Sequence, residues 1–355
     1  MVNLPHALPR TAMPKRVRFK RHLRFLEESG QVRAITTIDG GVDLPGGEPF
    51  QHLVKALEPM PRAEELNAAL AGAMSVSEEL ATQLAQRLYA TGLIETFDEA
   101  DGRFARFDRQ LHFFDQLAPV ADHGENIARQ ERLERAEVLV LGLGGIGHQI
   151  ALSLAAAGVG SLILVDGDLV EEGNLHRQIL FAHGDTGRPK VNAARDGLLR
   201  IAPTCDVRLR ESMIASAADW RALIAAFPQV RHVVISADRP IELVNWISDA
   251  RHAYGYHAIK CGYMGAQGLI GPLLGPDTPG YEELFTSWAP LAAAQSDAVK
   301  CVNEGSVAPT LAAGNAIMAN IAALELIKHI TGAGSPALLG RRMLLDLRDL
   351  TTRIG

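Results

Sequence analysis

Two textures of hydrophobic patterning divide the chain. Over its first hundred or so residues, apolar and polar positions alternate through KRVRFKRHLRFLEES and QVRAITTIDGG about a turn centred on Ser29-Gly30. That alternation predicts a β-hairpin, and VDLPGG then breaks the pattern. Three helical stretches follow, EPFQHLVKALEP, RAEELNAALAGA and SVSEELATQLAQRLYATGLI. In the last, Leu80, Leu84 and Leu88 recur at i, i+4 spacing on one face, and Ser75 with Glu78 three residues on fits a capping box. A few strands beside three short helices, closed by LIETFD, predict a small winged-helix-like module over residues 1–103. Such a module usually binds rather than catalyses. DNA is a poor candidate, because the helix that would read it carries Glu78, Glu79 and a single Arg87. An exposed sheet edge can instead capture an extended peptide as an added strand.

From Glu137 the pattern becomes strand (EVLVLG), glycine-rich turn, helix (HQIALSLAAAGV) and strand (SLILVDGD). DVRLRESMI, WRALIAAF, RHVVISADR and PIELVNWISDARHAYG continue the alternation as strand, helix, strand, helix. The succession predicts an α/β fold, a Rossmann-like doubly wound parallel sheet, over residues 104–355. AIKCGYMGAQGLIGPLLG reads as strands with glycine kinks, a β-meander extension of the sheet. A stretch without sustained period over residues 280–305 predicts a crossing loop, followed by a long small-residue helix, VAPTLAAGNAIMANIAALELIKHITG, and a closing strand in RRMLLDLRDLTTRIG. No internal repeat is visible.

Composition narrows the class. At 355 residues the chain can bury a full α/β core and a smaller module. Hydrophobic content of 47%, charged content of 21% and a net charge of -6 give no sign of a polyanion partner, so nucleic acid is not expected. No apolar run reaches the roughly 18 residues of a membrane span, and the basic start MVNLPHALPRTAMPKRVRFKRH lacks an apolar h-region. A cytoplasmic protein without membrane contact is expected. Cys205, Cys261 and Cys301 are far apart and form no CxxC, so neither a disulfide framework nor a structural zinc site is suggested.

The candidate chemistry centres on GLGGIG. Gly142, Gly144 and Gly147 satisfy G-x-G-x-x-G, with Gly145 between them, after a strand and before a helix. That arrangement gives a tight turn, close backbone approach to phosphate, and phosphates at a helix N-terminus. Asp166, followed by Asp168, ends the next strand where a ribose-binding acid belongs. To this point NAD and ATP are equal candidates. EEGNLHRQILF then supplies Asn174, Arg177 and Gln178, and GDTGRPKVNAA puts Lys190 at the start of another helix. Two cations exceed what a pyrophosphate on a helix dipole needs, but suit a triphosphate whose leaving group must be stabilised. Asp238 in ISADRP falls at the carboxyl end of a later strand, where a carboxylate can hold Mg²⁺ between phosphates or simply cap a helix.

Taken together, GLGGIG, VDGD, NLHRQ, GRPK and SADRP resemble the nucleotide site of the ThiF/MoeB/E1-like adenylating superfamily, in order and approximate spacing. RFDRQLHFF resembles the segment in which that family carries an arginine reaching the ATP of a partner subunit, here Arg109. VVISADRPIELVNWISDA, GYMGAQGLIGPLLGP and SVAPTLAAGNAIMANIAALELIKHITG are similar to segments of its peptide-modifying branch, the microcin C and pantocin A type enzymes. The likeness runs from about Phe104 onward. It implies ATP over Gly142 to Gly147, Asp166 on ribose, Asn174, Arg177, Gln178 and Lys190 near the phosphates, Asp238 on Mg²⁺, and Arg109 donated across a homodimer. Attack of a substrate carboxylate on the α-phosphorus would give an acyl adenylate and pyrophosphate, with Arg109, Arg177, Lys190 and Asp238 as the catalytic set.

The sequence departs from the family at its zinc cysteines. PGYEELF stands without cysteine where the first CxxC pair would be, and the chain ends TTRIG with no second pair, so no zinc is expected. Cys301 sits near where some relatives place a nucleophile, but Asn303 and Glu304 give it no cationic activation. The N-terminal module resembles the recognition element that holds a leader peptide, which favours a ribosomally made precursor peptide over a sulfur-carrier protein. Loss of the zinc cysteines tilts the chemistry toward side-chain Glu or Asp activation of the pantocin type over C-terminal adenylation. An NAD-dependent oxidoreductase would need a catalytic His or Tyr in the crevice, and the sequence offers no obvious one. A non-enzymatic peptide-binding protein would have no use for the full phosphate-site set.

Overall fold

The hairpin expected around Ser29-Gly30 forms through two residues of positive φ, 51° and 77°, the signature of a type I′ turn whose twist matches the flanking strands. The computed structural model describes residues 15–98, 102–285 and 308–355; Cys301 and residues 286–305 of the expected crossing loop lie outside the described residues. Strand β1 is Arg16–Phe19, β2 Arg24–Glu28, β3 Gln31–Thr37 and β4 Gly40–Pro45. VDLPGG does not break the pattern as expected: its first residues belong to β4, which pairs antiparallel with β3. Val42 and Leu44 alternate onto the core, and Pro45 ends the strand, where a missing N–H costs the ladder nothing.

Helices α1 (Glu48–Leu57), α2 (Leu66–Met74) and α3 (Glu78–Ala90) follow, and strand β5 (Ile94–Phe97) returns to pair with β1. The cap of α3 corrects the sequence reading. Ser77, not Ser75, accepts the Leu80 N–H; Ser75 instead closes α2 in the left-handed conformation at φ 55°. The buried face of α3 is accordingly Ala81, Ala85 and Leu88, and Leu80 is 50% exposed. Two further helices come next, α4 (Asp108–Leu117) and α5 (His123–Arg135). Lys20 is fully buried, and its ammonium meets both carboxylate oxygens of Asp115 on α4 at 2.9 and 2.8 Å. The chain forms two compact units, Met1–Gln130 and Glu131–Gly355.

In the second unit β6 (Glu137–Leu141), β7 (Ser161–Val165), β8 (Asp206–Arg210), β9 (His232–Ile235) and β10 (His257–Met264) run parallel in the order β8-β7-β6-β9-β10. The meander then adds antiparallel strands β11 (Gln267–Leu274), β12 (Met343–Asp346) and β13 (Thr352–Ile354), the last two being a hairpin where one closing strand was expected. Helices α6 (Gly147–Ala156), α7 (Lys190–Ile201), α8 (Ala217–Ala225), α9 (Leu243–Tyr254), the short α10 (Tyr281–Leu284) and α11 (Ala312–Thr331) complete the unit. Alternate strand residues (Leu139, Leu141, Ile163, Val165, Val233, Ile235) face Trp220, Leu223 and Ile224 of α8 and Leu243 and Ile247 of α9. Helix α11 packs on α6, β10 and β11. With both faces covered, β6 and β7 can be apolar at nearly every position. Among the described residues no helix is long and apolar enough to cross a membrane.

At the amino ends of the parallel strands lie His232, His257 and His329, with the rings of His257 and His329 4.1 Å apart and those of His232 and His329 5.6 Å apart. Burial lowers all three, His232 to about 3 and His329 to about 4, and His257 adds to the lowering at both. Below the unfolded pKa of about 6.5 the unfolded chain binds protons that the folded chain refuses, so stability falls as pH drops from there toward the folded values. His232 alone is expected to remove up to about 2 kcal/mol at pH 5. Melting temperature should therefore decline from pH 7 to pH 5, and less steeply in His232→Gln. Equal slopes in the two proteins would contradict this account.

Candidate active site

The strand order reverses between β6 and β9, and the two strands end side by side, the position at which doubly wound sheets open a crevice. Gly142 leaves β6 at φ 89°, and a Cβ there would lie 2.6 Å from the Ala237 nitrogen beyond β9. Only glycine lets the two loops touch. Ser236 and Ala237 both donate their N–H to Leu141 O at 3.0 Å, and Ser236 Oγ donates to Gly142 O at 2.7 Å. Gly147 starts α6 in equally close quarters, since a Cβ would sit 1.9 Å from Gly142 O. A Cβ on Gly145 would meet Asn315 Nδ2 at 2.3 Å. Gly144 differs: nothing lies within 4 Å of an added Cβ, so the loop is open there. The position before α6 is Ile146, which supplies no side-chain cap to the first helical amides. An open turn at the positive end of a helix suits an anion.

Asp166 ends β7 and is buried, its Oδ2 accepting the Leu143 N–H at 2.6 Å and its Oδ1 the Asp168 N–H at 2.8 Å. The acid thus orients the glycine loop. Burial raises its pKa, opposed by the nearby Lys190 charge and the two backbone donors. Lys190, 6% exposed at the start of α7, donates to the exposed Asp168 carboxylate at 2.7 Å. Asn174 is buried and takes the Glu171 N–H on Oδ1, closing a turn. Arg177 is half-buried and donates to Gly173 O at 2.6 Å; its Cδ lies 3.6 Å from the Cβ position of Gly145, beside the loop. Gln178 is buried, and its Oε1 has no hydrogen-bond partner among the described residues.

Asp238 is exposed just beyond β9, one residue from the Ala237–Gly142 contact. The second unit therefore brings Gly142 to Gly147, Asp166, Asp168, Arg177, Lys190 and Asp238 to one end of the sheet. Arg109 is exposed on the first turn of α4, in the other unit. Sequence reasoning missed two participants. Lys260 on β10 donates to Ala237 O at 2.9 Å; burial lowers its pKa and the neighbouring Asp238 charge opposes that. A lysine interrupting an apolar strand at the level of Ile235 was the available signal. Asn315 opens α11 buried against Gly145, its amide donating to Thr310 Oγ1 at 2.9 Å. Nothing in AAGNAIM marks it.

Fold and crevice together define a Rossmann-like nucleotide-binding protein with an antiparallel extension. More narrowly, residues 108–354 match the ThiF family, and the chain belongs to it. The probable adenylyltransferase/sulfurtransferase MoeZ of Mycobacterium tuberculosis is 33% identical over 235 residues, 63% of this chain and 55% of that protein. The chain thus spans about half the length of such relatives. Among solved structures, Escherichia coli MccB with ATP matches with a TM-score of 0.76 at 22% identity, covering 96% of each chain. PaaA matches with a TM-score of 0.71 at 22% identity, over 95% of this chain and 98% of that one. At that identity the likeness is one of fold.

Proposed function

We propose that the protein uses ATP and Mg²⁺ to adenylate a carboxylate of a ribosomally made precursor peptide, in the cytoplasm, as a homodimer. The observation that carries this reading is the gathering of an open glycine loop, Arg177, Lys190 and Asp238 at one crevice of a ThiF-family sheet. Bound ATP supplies an electrophilic α-phosphorus and a pyrophosphate leaving group. The loop at Gly144 and the N-terminus of α6 hold phosphate oxygens, and Asp166, already oriented by two backbone donors, is the ribose acid. Arg177 and Lys190 neutralise charge that grows on the leaving group, Asn174 and Gln178 support them, and Asp238 holds the metal. A carboxylate approaching an anionic phosphate needs cations fixed beforehand, because their reorganisation would otherwise add to the barrier. Arg109 acts from the partner protomer.

The first unit supports a peptide as the carboxylate's carrier. A cavity of about 430 Å³ opens between β1, β2 and α1, lined by Phe19, Phe25, Phe50, Val54, Leu57 and Met60 with Arg18 and Glu58. β2 and β4 flank β3 and have no second strand partner among the described residues, leaving edges onto which an extended segment can add. Solved MccB complexes include one with MccA, and we carry that partner class to this chain.

The test is pyrophosphate release from ATP and Mg²⁺ with candidate peptides, read beside peptide mass. Loss of water marks side-chain activation and cyclisation, and gain of AMP marks C-terminal adenylation. Phe50→Ala should weaken peptide binding about tenfold and leave ATP binding intact. Release that needs no peptide, or that answers only to a sulfur-carrier protein, would overturn the substrate assignment. Tight NADH binding without ATP binding would overturn the reaction class.

A further inference from the structure

Within the first unit, three elements bring Glu95 of β5, His112 of α4 and His123 of α5 into one buried cluster. One ligand-type atom from each lies within 4.8 Å of the other two. His123 Nδ1 and Glu95 Oε2 are 3.5 Å apart, and the rings of His112 and His123 have centroids 5.2 Å apart. His22 flanks the group, its ring centroid 5.8 Å from that of His112.

The hydrogen-bonding account of this cluster does not close. Glu95 Oε2 and His123 Nδ1 face only each other, at 3.5 Å, and both ring nitrogens of His112 and Nδ1 of His22 are buried without a hydrogen-bond partner among the described residues. Buried polar atoms are seldom left unpaired, and here they converge from three separate elements. The surroundings resemble an outer shell of the kind that orients metal ligands. Arg18 Nε fixes Glu95 Oε1 at 2.9 Å, and Asp108 Oδ1 stands 3.8 Å from His112 Nε2.

We propose that Glu95, His112 and His123 form a divalent-metal site for Zn²⁺ or a similar imidazole-seeking ion, unrelated to the nucleotide crevice. Two imidazoles and one carboxylate are a recurrent zinc set, and such ligands, about 2.0–2.1 Å from a tetrahedral ion, lie about 3.4 Å apart. His123 and Glu95 already stand at about that spacing, and a ring nitrogen of His112 lies within 4.8 Å of both. The site would fasten β5 to α4, whose first turn carries Arg109 three residues before His112. It is separate from the cysteine-based zinc site that the sequence lacks.

The experiment uses the full chain, stripped with a chelator, desalted and loaded with Zn²⁺ or Co²⁺ alone. The wild type should retain about one zinc per chain by elemental analysis. His112→Gln/His123→Gln should retain less than a tenth of that, while His257→Gln/His329→Gln, altering the other histidine group, should retain it all. Co²⁺ in the wild-type chain should show ligand-field bands of nitrogen and oxygen coordination without thiolate charge transfer, a readout independent of how the variants fold. Failure of the wild type to hold zinc, equal retention by the first variant, loss in the second, or a thiolate band would each overturn the proposal.

Discussion

Asp238→Asn should reduce peptide-dependent pyrophosphate release by about 10²–10³-fold, the scale of losing one electrostatic contact to a phosphoryl transition state. Melting temperature should stay within about 2 °C of the wild type, because the side chain is exposed. The separation of those two readouts is what makes the variant informative. Lys190, by contrast, is buried on Asp168, and its removal would disturb folding and chemistry together. Removing the Asp238 charge also removes an opposition to the burial that lowers the Lys260 pKa. Turnover in the variant close to wild type, with unchanged Mg²⁺ dependence, would remove Asp238 from the site.

The second large effect is structural and tests the loop. Gly147→Ala puts a methyl group 1.9 Å from Gly142 O and 2.2 Å from Ser236 Oγ, and the nearer atom is backbone that cannot rotate away. Forced separation of α6 from the loop should cost about 3 kcal/mol, which for a unit of this size lowers the melting temperature by roughly 6–12 °C. Gly144→Ala is the matched comparison, since its Cβ meets nothing within 4 Å. That protein should melt like the wild type and yet bind ATP at least tenfold more weakly, by calorimetric titration. Normal ATP affinity in Gly144→Ala would mean that the phosphates lie elsewhere.

These two glycines show where the sequence was informative. The spacing of Gly142, Gly144 and Gly147 between an apolar strand and a small-residue helix encodes local geometry, and local geometry is what periodicity records. The buried strands were legible because β6 and β7 are apolar on both faces. The reading slipped where two local signals competed. Ser75 and Ser77 both offer a cap, and the left-handed turn at Ser75 decides between them. β4 was hidden by its glycines and proline, and α5 by a surface in which Ile127 and Leu133 are the only large apolar residues. The site residues that escaped notice, Lys260 and Asn315, matter only through neighbours far off in sequence, Ala237 and Gly145. The same holds for Glu95, His112 and His123, whose spacing follows no ligand motif.

The pairing of Lys20 with Asp115 has a bearing on modularity. One partner directly follows the first strand of the N-terminal unit and the other lies on α4, 95 positions later. Each is almost fully buried, so separating them strands a charge in the interior at a cost of about 3–5 kcal/mol. A recombination event or a protein engineer wishing to graft this unit onto another chain must carry α4 along. Arg109, displayed on the first turn of α4, would travel with it, so this unit and that arginine are inherited as a single block.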